Sequence, residues 1–255
     1  MKKTLSLFFI SFFFLFLYAP IFVLVTYSFN TKGFPSHWEG FTLHWYIELF
    51  RSDEIWYAFL VSFLVASFAT SLSLLMGLAF IFFDFVGGRV KHALSLFYVN
   101  LVFPETVLGV SLLGYFLLFQ ITLGFQTLII AHTLLALGFV IPVLYMKYRS
   151  LDHNLIEASV SLGATKIQTY FRIVIPLLFP AMISSGLMVF ILSFDDFALS
   201  FFCAGTHIQT LSLHLLSMIR VGIEPTMNAL SFVLLLFSSV LVMIFFSKRV
   251  RSRIF

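Results

Sequence analysis

Three carboxylates stand where an apolar chain tolerates them least. Glu105 follows Pro104 inside the apolar run 93–119, and Asp195 and Asp196 adjoin in the run 177–202. A carboxylate at the centre of a membrane costs roughly 2.5–3.5 kcal/mol on insertion scales, so such groups turn from lipid towards protein or water. Their chemistry is that of cations: contact with a positively charged solute, selectivity or gating, with a structural hydrogen-bonded network as the competing role. Successive side chains on a helix point about 100° apart, so at least one of the two aspartates is expected to face a protein-lined cavity or a translocation path. Ser193 and Ser200 are candidate lining groups beside them. Pro104 loosens the backbone ladder next to Glu105, which suits a gate or pore lining as well as structural support. Asn100, Gln120, His132, His214 and Asn228 read as satisfied packing residues rather than ligands. The histidines form no cluster with metal-ligand spacing, so no metal site and no catalytic residue is assigned.

The elements that must position these acids are membrane helices. Of 255 residues, 61% are hydrophobic and 10% charged, against about 25% charged in ordinary soluble domains; a water-soluble fold is excluded. The formal charge of +4 comes from basic residues placed between apolar runs rather than along one face, which marks topology at an anionic membrane surface rather than nucleic-acid binding. A single cysteine, Cys203, excludes an intrachain disulfide. The apolar runs cover 7–29, 55–83, 93–119, 125–145, 177–202 and 227–246. Each can cross a hydrocarbon core of roughly 30 Å with about 20 helical residues, and each is too long for a membrane strand of about 9–11 residues. The first run follows Lys2 and Lys3, exceeds the roughly 7–15 residues of a signal core and lacks a small-x-small cleavage site, so it reads as an uncleaved span. The expectation is an all-α polytopic membrane protein: one transmembrane domain over 1–255, with six helices and a cytoplasmic loop at 147–176.

Charge orients those spans. With the amino terminus inside, the inner set is Lys2, Lys3, Arg89, Lys91, Lys147, Arg149, Lys166, Arg172, Lys248, Arg249, Arg251 and Arg253, and the outer set is Lys32, Arg51 and Arg220. This bias places both termini in the cytoplasm. The outer loops carry Glu39, Glu48, Asp53, Glu54 and Glu224 instead. Trp38, Trp45, Tyr46 and Trp56 in and beside the first outer loop favour the lipid–water boundary. A short surface helix with Thr42 as its start fits there, either as an interfacial anchor or as a contact for an outside partner.

The inner loop between the fourth and fifth spans reads EASVSLGATKIQTYFRIVIP over 157–176. Asp152 or Asn154 can cap a helix through Glu157, Ala158, Val160 and Ser161, which Gly163 can end. A second helical stretch runs from Ala164 through Phe171 and Arg172 to Pro176. Two short helices meeting at a glycine make a knob that fits a partner's cleft. Glu157 offers a carboxylate to donors on that partner, and Tyr170 and Phe171 are candidate aromatic anchors. The sequence contains no Gly-rich phosphate loop of the Lys-Ser/Thr kind, so this subunit is expected to bind no ATP.

Glu157, Ala158, Ser159, Gly163, Ile173, Ile175 and Pro176 match in spacing the cytoplasmic motif of bacterial ABC importer permeases, which runs Glu-Ala-Ala, three residues, Gly, nine residues, Ile, one residue, Leu-Pro. Ser159 and Ile175 are the two departures. FPETVLGVSLL, LSFDDFALSFF and MIRVGIEPTMNAL extend the resemblance over nearly the whole chain, towards the spermidine/putrescine branch and its second membrane subunit. The resemblance implies a type I importer permease fold in the bacterial inner membrane, working by alternating access. It also implies a second homologous permease, two copies of an ABC ATPase subunit docked on 157–176, and an extracytoplasmic polyamine-binding protein. ATP and magnesium are then expected on the ATPase, with no cofactor on this chain. Polyamines are flexible cations, and Glu105, Asp195 and Asp196 suit them as electrostatic waypoints. Another small cationic or receptor-delivered solute, an ion-coupled carrier and a non-transporting scaffold are the competing readings; the last two leave the motif or the acids unexplained.

Overall fold

A computed structural model describes residues 2–33, 36–221 and 225–246. Lys248, Arg249, Arg251 and Arg253 of the inner basic set, and Glu224 of the outer acids, lie outside the described residues. The elements are α1 (Lys2–Tyr27), α2 (His44–Arg51), α3 (Asp53–Phe85), α4 (Lys91–Val102), α5 (Glu105–Leu118), α6 (Phe125–Arg149), α7 (His153–Ser161), α8 (Lys166–Thr169), a π-helical turn (Tyr170–Val174), α9 (Ile175–Asp195), α10 (Ala198–Cys203), α11 (Leu211–Val221) and α12 (Pro225–Phe246). Four stretches are long and apolar enough to cross a membrane: Phe9–Tyr27, Asp53–Phe85, Phe125–Arg149 and Lys166–Asp195. The bent pair α4–α5 is a fifth candidate. The chain is an all-α polytopic membrane protein.

Two of the expected spans differ in detail. The run 93–119 divides into α4 and α5, bent by 113°. Phe103 and Pro104 are both extended (ψ 133° and 135°), because proline bars the α conformation to the residue before it. The Pro104 carbonyl then starts α5 by accepting from the Val107 and Leu108 amides at 3.0 and 3.2 Å. The run 177–202 also breaks. Its helix ends at Asp195, Asp196 is extended (φ −65°, ψ 128°), and α10 begins afresh at Ala198.

The described residues form two compact units, one from residues before Tyr57 and from His214 onward, the other from Tyr57–Leu213. In the first, α12 packs against α1 and α2. The connection after α1 is held by the buried Asn30: its amide donates to Lys32 O and His37 O at 2.8 and 3.1 Å, its Oδ1 accepts from Glu39 N at 2.9 Å, and its carbonyl accepts from the Trp45 indole at 2.8 Å. The anticipated surface helix forms as α2, with Thr42 Oγ1 accepting from His44 N at 3.1 Å. It buries Leu49 and half-buries Trp45 and Tyr46, and it exposes Ile47 and Phe50 beside the charged edge of His44, Glu48 and Arg51. Burial pushes the Tyr46 phenol above its usual range, and its bond to Ser28 acts the other way.

The second unit is organised on α6, which packs against α4, α5, α9 and α10. Two apolar clusters follow one another along it. Leu128, Ala131 and Leu135 meet Val61, Val65, Phe116 and Leu199; Ala136, Val140 and Leu144 meet Ile81, Val174, Leu178 and Val189. Lipid is as apolar as these side chains, so close packing and internal hydrogen bonds, rather than exclusion from water, hold such helices together. Gly138 shows the fit. A Cβ there would lie 2.6 Å from Asn100 Nδ2 and 3.2 Å from Asn100 Cβ, on the side chain whose amide donates to Leu134 O at 2.8 Å. Gly138→Ala is therefore expected to destabilise the subunit by about 1–3 kcal/mol through overpacking, read as a lower Tm in detergent. Adding Asn100→Ala should recover part of that loss.

Candidate functional site

The loop between α6 and α9 folds as its local signals require. Asp152 caps α7, its carboxylate accepting from Asn154 N at 2.9 Å. At the other end, Ala164 N donates to Ser159 O at 3.1 Å and Gly163 N to Val160 O at 2.9 Å, the paired bonds of a Schellman motif. That motif needs a left-handed residue, which Gly163 supplies at φ +86°, and a Cβ there would meet nothing within 4 Å. The glycine thus reverses the chain and leaves the outer face clear. Thr165 starts α8 with a reciprocal cap, its hydroxyl accepting from Gln168 N at 3.3 Å while Gln168 Oε1 accepts from Thr165 N at 3.0 Å. Ser159, the serine where the motif has alanine, bonds Thr169 Oγ1 at 2.9 Å and ties α7 to α8.

No break separates this knob from the span behind it. Lys166–Asp195 runs 30 residues, through the π turn, whose last carbonyl-sharing step is Ile175 N donating to Tyr170 O. The widened turn falls where the Pro176 ring would otherwise crowd the Arg172 carbonyl. Pro176 therefore sits within a continuous helix instead of ending one.

The two aromatic anchors part company. Phe171 is 61% exposed, whereas Tyr170 is 2% exposed. Tyr170 packs on the rings of Phe82 and Phe85 and donates to Leu78 O at 2.6 Å. As a partner contact Tyr170 is corrected: it braces the knob against α3. Ile173 and Ile175 are half-buried. Glu157, Ala158 and Pro176 are exposed, and Leu162, at 90%, stands out with Val160, Ile167 and Phe171 as apolar surface on this loop.

The three acids also come into one neighbourhood. Asp195 is exposed at the end of α9, Asp196 is buried, and Glu105 is half-buried at the start of α5, near enough for its charge to act on Asp196. Asp196 Oδ2 accepts from Ser200 N at 3.1 Å, and its carbonyl accepts from Ser212 Oγ at 2.6 Å. The buried Oδ1 completes no hydrogen bond to any described residue. His132 stands beside this carboxylate, with Nε2 at 3.7 Å from Oδ2. Its Nδ1 is 2.8 Å from Ser193 Oγ.

No family model matches the chain. Curated relatives do. The spermidine/putrescine transport system permease protein PotC of Haemophilus influenzae is 33% identical over 90% of this chain and 90% of its own length. PotC of Escherichia coli K12 is 34% identical over 89% of this chain and 87% of its own length. The putrescine transport system permease protein PotI of the same organism is 33% identical over 87% and 82%. Such identity, end to end, decides the matter. The chain belongs to the spermidine/putrescine transport permease family.

Membership makes it a transport permease, and an ABC importer permease resembling PotC. Within the family frame, sequence reasoning missed His132 as a partner of the acid site and Tyr170 as an internal brace. The Thr165–Gln168 box was the local signal available for α8; nothing local signals the His132–Asp196 approach. Gly163→Ala is expected to cost about 1–2 kcal/mol through left-handed strain, seen as faster hydrogen exchange at the Gly163-site and Ala164 amides.

Proposed function

We propose that this chain is the membrane-spanning permease subunit of an ATP-driven polyamine importer, carrying spermidine or putrescine inward by alternating access. The observation that carries the reading is one helical rod with a docking knob at one end and the acids at the other. At 1.5 Å per residue, the 30 residues of Lys166–Asp195 span about 45 Å. A push on the knob therefore displaces the Asp195–Asp196 joint directly.

In this reading the knob docks on an ABC ATPase, present in two copies, with Leu162, Ile167 and Phe171 as its apolar contacts and Glu157 as its charged one. ATP and magnesium act there. A second homologous permease completes the membrane pore, and an extracytoplasmic polyamine-binding protein delivers substrate. Glu105, Asp195 and Asp196 line the translocation path or its gate. The fold is the six-helix type I importer arrangement in the bacterial inner membrane, using α1, α3, the bent α4–α5 pair, α6, α8 to α9, and α12, with both termini cytoplasmic. Neighbouring positively charged solutes compete for the substrate assignment, because the family relation and the acids fit any small cation of that kind.

Uptake into sealed vesicles holding the full complex tests this. Labelled spermidine or putrescine should accumulate only with ATP on the ATPase side and binding protein on the other; intact assembly and ATP hydrolysis without polyamine uptake would reject the substrate. Phe171→Ala and Leu162→Ala should each weaken ATPase association about tenfold or more, as truncation of a buried anchor does, with this subunit's own Tm unchanged. Tyr170→Phe should do the reverse, lowering the Tm by losing a bond worth about 1 kcal/mol and leaving ATPase affinity within about twofold.

A further inference from the structure

We propose that His132 is a positioning residue for the cation path, orienting Asp196 so that one carboxylate oxygen is engaged and the other, sealed in this conformation, is kept unpaired for an ammonium group that reaches it when the joint opens. The inference rests on the reading of Asp196 as a waypoint.

His132 lies on α6 and is 1% exposed. Three polar groups surround its ring: Ser193 Oγ at 2.8 Å from Nδ1, and Ser200 Oγ at 3.5 Å and Asp196 Oδ2 at 3.7 Å from Nε2. Ser193 belongs to α9, Asp196 to the joint and Ser200 to α10. One ring therefore contacts both helices and the break between them. The tautomer follows from the partners. A lone pair on Nε2 would face the carboxylate oxygen and repel it, so Nε2 carries the hydrogen and Nδ1 accepts from the Ser193 hydroxyl. The N–H thus points at Oδ2, which Ser200 N already holds at 3.1 Å. The Nε2–Oδ2 separation exceeds a hydrogen bond, so the resting contact is electrostatic and a shift of about half an ångström closes it.

Asp196 is consequently asymmetric. Oδ2 faces a histidine and a backbone amide, whereas the buried Oδ1 has no hydrogen-bond partner among the described residues. Leaving a buried acceptor of this kind unpaired is unfavourable, the more so when it is charged. A structural role alone gives no reason to retain it. An alkylammonium offers N–H donors of the right charge to that oxygen. Ser200 N holds Oδ2 in this rotamer and the His132 ring faces the same oxygen, so both orient the carboxylate.

Two substitutions separate the ring's two nitrogens. Asparagine reproduces Nδ1 and keeps the Ser193 bond but removes the donor facing Asp196. Glutamine reproduces Nε2 and keeps that donor. In vesicles with the full complex, the readout is labelled spermidine or putrescine moved per ATP hydrolysed, a ratio unaffected by how much complex folds. His132→Asn should lower this ratio about tenfold, within the range of contacting pairs, while His132→Gln stays within about twofold of the natural protein. In an Asp196→Asn background, His132→Asn should add nothing. Equal losses of this ratio in both single variants, or an undiminished effect of His132→Asn in the Asp196→Asn background, would overturn the positioning role. An Asp196→Asn complex with an unchanged ratio would instead remove Asp196 from the path, and the inference with it.

Discussion

A carboxylate cannot be left in an apolar interior without something to hold it, and Asp196 sets the terms for the helices around it. The helix that delivers it stops one residue earlier, the residue itself becomes extended, and its side chain accepts from the amide of Ser200 to organise α10. Its backbone carbonyl is taken by Ser212, so the approach to α11 is fixed at the same point. Across the joint stands α6, the most enclosed helix among the described spans. Its His132 faces Asp196 from the helix that also carries Leu128, Ala131 and Leu135 of the first apolar cluster. Burial in protein rather than lipid makes such an irregular backbone tolerable at membrane depth.

The same rod that carries Asp195 carries the knob. A helix broken at Pro176 would absorb motion at the break, because unpaired backbone groups there could bend independently. The π turn instead keeps the helix continuous across the proline, and Tyr170 anchors that turn to the carbonyl of Leu78. The brace has a consequence for the direction of force. With Tyr170 bonded to α3, a displacement of α7 and α8 in the proposed coupling would reach both α3 and α9, which border the second apolar cluster. Ser159 plays the complementary part at the tip, since its bond to Thr169 makes α7 and α8 move as one.

Much of this was legible locally. Asp152 as a cap, Gly163 as a helix end and a helix near Thr42 all follow from residues within four positions of one another, where capping and turn chemistry operate. The break at Pro104 was signalled, but its 113° extent was not, because proline fixes its own neighbours and tertiary packing decides the angle. The inward turn of Tyr170 and the outward turn of Phe171 were illegible for another reason. Adjacent aromatics differ only in which side of a helix meets protein, and the sequence of a helix apolar on all sides carries no such mark. His132 was read as a satisfied packing residue. It does make hydrogen bonds, but its importance depends on Ser193, Asp196 and Ser200, which only folding brings to α6.

The acids differ in how far the protein has already satisfied them, and that difference suits passage better than capture. Asp195 is exposed on this chain, with no hydrogen bond closing its carboxylate among the described residues. Glu105 stands in the first turn of α5, where the helix dipole already offsets part of its negative charge. Asp196 has one oxygen bonded to the Ser200 amide and one buried without a hydrogen-bond partner among the described residues. A site that closed all these carboxylates around one ammonium would hold it with the combined strength of several charge-assisted bonds and would release it slowly. In the proposed import reading, three partly satisfied groups, spread over the end of one helix and the start of another, would offer a diffusing dication or trication successive contacts of modest depth. Conduction needs binding weak enough at each step to let the substrate leave. The rod linking the joint to the knob then supplies what weak sites lack, a direction.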